Sequence, residues 1–492
     1  MSEFTRRRLL RDAMTIVSAV AAGAVSHPVF ARQRGSADAS GAVPDNTLAL
    51  ARAVNSMRYE DLPARAVEHA KMILASTLAS AAPGSRIDSA RILRGLAKER
   101  GGRSEATVWF DAARLPAASA ARVNAALSDA AASDDSDIRN TAHYGTALAA
   151  AGLAIAERAG ATGKELLGAM VIGYESAGRI GDARRGGRGG LHASQLVAFG
   201  GAVAVARLLK LTDQQMAHAL GIVATTMGGL AIGTNSWARE YMGANAAASG
   251  VDASEAAARG YTVNDDMLGA RGGFVEVFGG GGDAVRLLSA DLGQRWDIVD
   301  FLAIKLWPGA HPFSGTLEAA VNAARQANVG ADAVAKILIA GPDRTNVGGS
   351  RRPRDLVEAI HSLPYFVASA VADKEFTWIH ATEAKIFDPV VARLMGVVDL
   401  DPAPPAVTYT WSWGGSVTLL TTSGQRFTST VDAPRGSGPR GIEWSDVDAK
   451  YRALTPDSKL PAARLGRILD EIHQFDRVKS VAAFARLLTP RG

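Results

Sequence analysis

Apolar residues recur at helical spacing through most of the chain. Segments 63–82, 117–132, 145–159, 163–180, 194–209, 213–227 and 244–260 carry alanine or larger apolar residues three and four positions apart, the periodicity of helices with a buried stripe. Start and stop signals agree with it. Thr162 with Glu165 and Thr212 with Gln215 have the spacing of capping boxes, while Gly160 and Gly260 stand where helices end. So much alanine on helix faces allows close approach of their axes. The pattern predicts an all-helical domain over 47–298.

From about residue 299 the texture changes. Segment 336–340 is an apolar run of strand length, 407–413 and 416–422 have strand composition, and Ser423-Gly424 is a turn signal leading into 425–431, which predicts a hairpin. Helices at 316–327 and 364–372 are expected to pack on these strands. The segment 299–438 thus reads as a second, α+β domain. After the Pro434 to Pro439 breaker, helical patterns return at 445–454, 462–475 and 480–488. Residues 439–492 are expected to rejoin the first domain, so the fold class is mainly α, with the small domain an insertion.

Composition narrows the function. The 492 residues leave room for several domains at about 100–200 residues each. With 47% hydrophobic and 21% charged residues, wholesale disorder and a polytopic membrane protein are excluded. A net charge of only +5, spread along the chain, argues against a nucleic-acid partner. There is no cysteine, which removes disulfides, thiolate-held zinc, iron–sulfur clusters and thiol nucleophiles. At the N-terminus, Arg6-Arg7 in Thr5 to Arg11, an apolar stretch over 13–25 and a small-residue exit ending at Ala31 have the order of a twin-arginine signal. The stretch is shorter than the about 20 residues a membrane span needs. Residues 1–31 are therefore expected to address the chain to the twin-arginine export machinery and 32–46 to form a linker. The mature protein is then periplasmic, without stable membrane association.

Candidate chemistry lies in separated polar clusters. Asp134 and Asp135 sit in a Ser/Asp run with His143 shortly after, between alanine-rich helices. They have the types needed for an acid/base imidazole tuned by a carboxylate, and equally those of plain helix capping. Arg184 and Arg188 belong to a glycine-rich cationic loop that ends in His192 before an apolar helix, suited to a carboxylate. Arg239 follows a small-residue segment, and Lys305 with His311 and His361 with Tyr365 lie beside prolines. No HExxH, paired HxH or carboxylate-rich metal loop is present, so no metal is expected. No nucleotide-type glycine loop occurs either.

Taken in order, these segments resemble the MmgE/PrpD family over roughly residues 47–487. The resemblance rests on Asp134-Asp135-Ser136 through His143, Gly173-Tyr174-Glu175 with Arg179, Gly190-Leu191-His192, Ser236 through Arg239, Lys305 through His311, and Ser362 through Tyr365. It implies a helical domain plus an α+β lid, an active site in the cleft between them, and usually a homodimer. It also implies cofactor-free chemistry on a small di- or tricarboxylic acid. The site it nominates comprises Asp134 or Asp135, His143, His192, Arg239, His311 and Tyr365. Departures imply an altered site. Ala132 replaces the first aspartate of the family run, Tyr144 the proline after the histidine, and Arg239 the usual lysine, and Ser314 stands near a later histidine position. Arginine keeps the charge but does not give up its proton near neutral pH.

The expected function is a lyase, a dehydratase, hydratase or decarboxylase, working by general acid/base catalysis. His143 is the expected base, His192 or His311 the opposing acid, Tyr365 a donor from the lid, and Arg239 with Arg184, Arg188 and Lys305 the carboxylate-binding group. The alternatives are an isomerase or epimerase moving a proton on a dicarboxylate, and a periplasmic carboxylate-binding protein that has lost catalysis.

Overall fold

Alanine builds the helical part of the molecule. The computed structural model describes residues 45–185, 189–226, 228–342 and 344–490. The expected signal peptide, nearly all of the expected linker, and Arg188 lie outside the described residues. The first helices are α1 (Asn46–Ser56), α2 (Ala64–Gly84), α3 (Asp88–Arg100), α4 (Ala117–Ala130), α5 (Tyr144–Ala159) and α6 (Gly163–Arg184). They are followed by α7 (Ser194–Leu208), α8 (Asp213–Thr225) and α9 (Ala238–Ala258). Seven of them overlap the segments of apolar periodicity, although α9 begins at Ala238 rather than at 244 and α6 runs to Arg184 rather than to 180, while α1 and α3 lie outside those segments. Caps fix several of the ends. Thr162 with Glu165 and Thr212 with Gln215 form complete capping boxes, and Gly160 ends α5 in the left-handed conformation.

Small residues let these helices touch backbone to backbone. A Cβ on Gly250 of α9 would lie 2.8 Å from the Ala202 nitrogen of α7. The tightest crossing is that of α2 and α4: a Cβ on Gly84 would lie 1.7 Å from the Leu127 carbonyl oxygen, and the Ser80 hydroxyl donates to the Ser128 carbonyl at 2.6 Å in the same crossing. Gly84→Ala is therefore expected to destabilise the chain by about 3 kcal/mol, the upper part of the range for overpacking a close-packed interior. A urea midpoint equal to that of the unsubstituted protein would refute it.

The later elements are α10 (Ser314–Ala327), α11 (Leu363–Asp373), α12 (Pro389–Met395), α13 (Trp444–Leu454), α14 (Ala462–His473) and α15 (Val481–Leu487). One hydrophobic cluster holds residues from Leu50 to Ile304 together with Ile442 to Leu488, and a second holds only residues between Leu317 and Val431. In the first, α13 packs on α2 and α15 on α5. The second surrounds a four-stranded sheet. Its strands are β5 (Val334–Ala340), β6 (Val398–Leu400), β7 (Gly415–Thr421) and β8 (Arg426–Val431), in the order β6-β5-β7-β8. Strand β6 runs parallel to β5, and the other neighbours are antiparallel. The β7–β8 hairpin turns at Ser423-Gly424, with Gly424 at positive φ, and α10 covers this hairpin.

The chain is mainly helical with this small sheet, with differences from the pattern reading. Segment 407–413 is not a strand: Thr410 is held by the Asp432 carboxylate, and Trp411 lies where any side chain on Gly438 would be. The fourth strand is β6 instead. The helical part is also not free of strand. It holds the pairs β1 (Ala106–Thr107) with β2 (Arg114–Leu115) and β3 (Asp135–Asp137) with β4 (Leu302–Ile304). The second of these pairs builds the floor of the site. Among the described residues no helix is long and apolar enough to cross a membrane.

Candidate active site

The site begins with a polar strand that no propensity would select. Strand β3, Asp-Ser-Asp, is wholly buried and pairs antiparallel with β4, Asp135 opposite Ile304 and Asp137 opposite Leu302. Just beyond the paired residues, the Lys305 N–H donates to the Asp134 carbonyl at 3.2 Å, and the Gly309 N–H to the Ala132 carbonyl at 3.0 Å. The loop carrying Lys305 and His311 is thereby laid along the aspartate run. The Ala310 N–H donates to the Ile360 carbonyl at 2.9 Å, which brings His361 to the same place.

A second pairing delivers the opposite wall. Leu191 bridges Leu230, the His192 N–H donates to the Gly229 carbonyl at 3.1 Å, and the Ala231 N–H to the Gly190 carbonyl at 2.8 Å. The two small-residue segments noted in the sequence therefore lie side by side. They set His192 next to the turn that opens α9, whose first helical turn carries Arg239.

Between these walls lies a cleft of about 310 Å³ lined by His143, His192, His311, His361, Arg184, Arg239 and Lys305, together with Ser136, Asn140 and Thr141. Distant clusters thus converge. Asp134 and Asp135 do not line the cleft; both are fully buried beneath it. Arg188 is outside the described residues. Tyr365 is a correction: it is buried in the second hydrophobic cluster, and its hydroxyl donates to the His380 carbonyl at 2.6 Å. Burial raises its pKa to about 12. It does not face the cleft, so a donor role there has no geometric basis.

Tautomers distinguish the imidazoles. His143 Nδ1 lies 2.5 Å from the Asp135 carbonyl oxygen, which only accepts, so Nδ1 carries the proton and Nε2 keeps its lone pair. The Asp134 carboxylate is farther off, 3.7 Å from the same Nδ1; a backbone carbonyl, not the expected side chain, orients this ring. Burial lowers the His143 pKa, opposed by Asp134, and keeps the ring neutral at pH 7. His192 is the reverse. Its Nδ1 accepts the Ser194 N–H at 3.2 Å, which leaves the proton on Nε2. Burial pushes it down to about 4. Burial also holds His311 well below its usual range, assisted by Lys305 and His143. The His311 ring lies tilted by 35° against Trp413, centroids 4.7 Å apart, and its Nδ1 is buried without a partner.

Beneath the cleft lies a charged layer. Asp134 accepts from Lys305 Nζ at 2.8 Å and from the Thr146 hydroxyl at 2.9 Å. Burial alone would raise its pKa, but His143, Lys305 and Arg239 outweigh that and hold it below the carboxylate range. Burial and the Asp134 charge push Asp135 up to about 7; it accepts the Gly145 N–H at 3.0 Å. Arg239, only 2% exposed, donates to the Asp129 carbonyl and lies 3.9 Å from the Asp129 carboxylate, its Nε unpartnered. Arg184 also has an unpartnered Nε. Oxygen and nitrogen atoms of Asp129, Asp134 and His143 lie within 4.8 Å of one another. They do not suit a metal, because Arg239 and Lys305 already pair with these carboxylates.

Sequence reasoning missed three contributors. His361 stands in a quoted segment but was passed over for Tyr365. Its Nδ1 donates to the Val357 carbonyl at 2.8 Å, and burial takes its pKa to about 3. Asp129 lies inside α4, within the predicted helical segment 117–132, and carries no local signal of its own. Lys450 lies under the floor, and burial lowers it to about 7; its signal was a lysine within the apolar stripe Val447, Lys450, Tyr451, Leu454.

Two family models cover the chain: the MmgE/PrpD N-terminal domain matches residues 48–286 and the MmgE/PrpD C-terminal domain residues 307–472. The chain belongs to the MmgE/PrpD family. Among curated proteins, cis-aconitate decarboxylase of Homo sapiens is 24% identical over 422 residues, 83% of this chain and 87% of the relative. The cleft of this MmgE/PrpD protein draws on both matched regions, His143, His192 and Arg239 coming from the first and His311 and His361 from the second. The family helix motif itself serves the interior. Glu175 accepts the Ile298 N–H at 3.1 Å, and Arg179 donates to the Arg295 carbonyl at 3.0 Å, both away from the cleft.

Proposed function

We propose that this protein is a cofactor-free lyase that adds or removes water or CO2 on a small di- or tricarboxylic acid. Family membership supports dehydratase- or decarboxylase-type chemistry on carboxylic acids, and the human relative is named for decarboxylating cis-aconitate. The observation that carries the finer reading is the opposite tautomers of the His143 and His192 imidazoles, which line one cleft with Arg184 and Arg239. Such chemistry passes through an enolate-like species, whose charge must be met by fixed cations and donors. In this reading water is lost as His143 Nε2 removes the proton next to a carboxylate while the His192 Nε2–H protonates the departing hydroxyl. When CO2 is lost instead, no proton is removed and the enolate-like carbon left behind takes its proton from the His192 Nε2–H. Arg184 and Arg239 hold the substrate carboxylates, and the inserted α+β segment closes the cleft as a lid. We further propose that the protein acts in the periplasm after twin-arginine export, as a homodimer.

The same pair of imidazoles would serve an epimerase, so the test separates the two outcomes. Purified protein incubated in D2O with a panel of di- and tricarboxylic acids, followed by NMR, is expected to yield a dehydrated, hydrated or decarboxylated product. Deuterium wash-in next to a carboxylate without such a product would replace the lyase by an epimerase. Tight binding with neither exchange nor product would mark a binding protein.

A further inference from the structure

The family motifs leave the buried cation Lys450 unexplained. Lys450 comes from α13, at the far end of the chain from the aspartate run, and is 2% exposed. Its Nζ donates to the Ser76 hydroxyl of α2 at 2.7 Å and to the Ser133 carbonyl. The Trp378 ring lies 5.8 Å away. It does not line the cleft, so it does not reach a substrate there.

Ser133 is the residue through which the aspartate run enters the site. Immediately before it, Ala132 is held at φ 49°, a left-handed conformation that a residue with a Cβ keeps only when its surroundings impose it. Immediately after it come Asp134, which pairs with Lys305, and Asp135, whose carbonyl accepts the hydrogen bond from His143 Nδ1–H. The backbone atoms that choose the tautomer of His143 therefore follow directly on the carbonyl that Lys450 grips.

We infer that Lys450 is a positioning residue for His143: by anchoring the Ser133 carbonyl to α2 it fixes the Asp135 carbonyl, and so keeps the proton of His143 on Nδ1 and its lone pair on Nε2. A neutral amine still has two N–H groups, one for each acceptor, so the anchor does not depend on the charge state of Lys450. The inference rests on the reading of His143 as the base, but its geometry can be measured without a substrate.

The test is 15N NMR of the full chain labelled at histidine, the His143 signals being assigned by their loss in His143→Gln. The unsubstituted protein is expected to show His143 protonated at Nδ1. In Lys450→Met the signal should move toward a mixture of tautomers. Because a misplacement of about 1 Å costs on the order of 100-fold, kcat should fall about 10- to 100-fold, with KM changed less than about threefold. A folded Lys450→Met variant with the unchanged His143 spectrum overturns the inference, whatever its activity. If that variant does not fold, Ser76→Ala decides. It removes one acceptor of Nζ and should shift the same signal by less, and an unshifted signal overturns the inference. An altered tautomer with unchanged turnover would instead overturn His143 as the base. Failure of the unsubstituted protein on every carboxylic acid would sink the lyase reading and leave the NMR result standing.

Discussion

Replacing His143 with glutamine is expected to lower kcat by about 100- to 10,000-fold, the contribution of one positioned acid/base group, while KM stays within a few-fold. The side chain sits at the N-cap of α5 with its Nδ1 proton committed to the Asp135 carbonyl. Glutamine keeps a comparable length and a donor but has no basic nitrogen, so the proposed carboxylate binding by Arg184 and Arg239 should persist while the proposed proton abstraction should not. Burial lowers the pKa of the imidazole, which favours the neutral form that the proposed base role requires. Steady-state kinetics on whichever acid turns over in the D2O panel, together with loss of deuterium exchange, check this. Unchanged turnover would remove His143 from the mechanism.

Lys305→Met is expected to be the most destabilising of these substitutions. It leaves Asp134, fully buried and held ionised, without the ammonium 2.8 Å away. Removing one partner of a buried ion pair costs about 3–5 kcal/mol. Asp134→Asn in the same chain removes the stranded charge, so the double variant should recover most of that loss, a coupling that a double-mutant cycle in urea isolates. A Lys305→Met protein as stable as its parent would show that the Asp134 charge is met by other neighbours.

How much of this was legible in the sequence depends on how local the signal was. Helices with caps and alanine stripes were legible because periodicity and capping act within a few residues: α6 and α8 start directly after Thr162 and Thr212, and α5 stops at Gly160. The β7–β8 hairpin was legible from its turn. Strand β3 was not, because Asp-Ser-Asp becomes a strand only when β4 arrives from far along the chain. The order of short motifs located His143, His192, Arg184, Arg239, Lys305 and His311 on one cleft. It misplaced Tyr365, since a motif fixes where a residue sits in the chain and not which way its side chain turns: Ser362 caps α11, and that helix aims the tyrosine inward. The tautomers of His143 and His192 depend on backbone partners and were invisible beforehand.

The docking of α13 on α2, with Lys450 gripping the stretch that follows α4, has a consequence for synthesis. A nascent chain emerges from the ribosome N-terminus first and its early portions fold first. Here α2 already lies outside the tunnel while its covering helix is still untranslated. The last anchor beneath the cleft therefore arrives only at the end of elongation, and a transcript truncated before residue 444 would encode a polypeptide whose α2 lacks the helix that covers it.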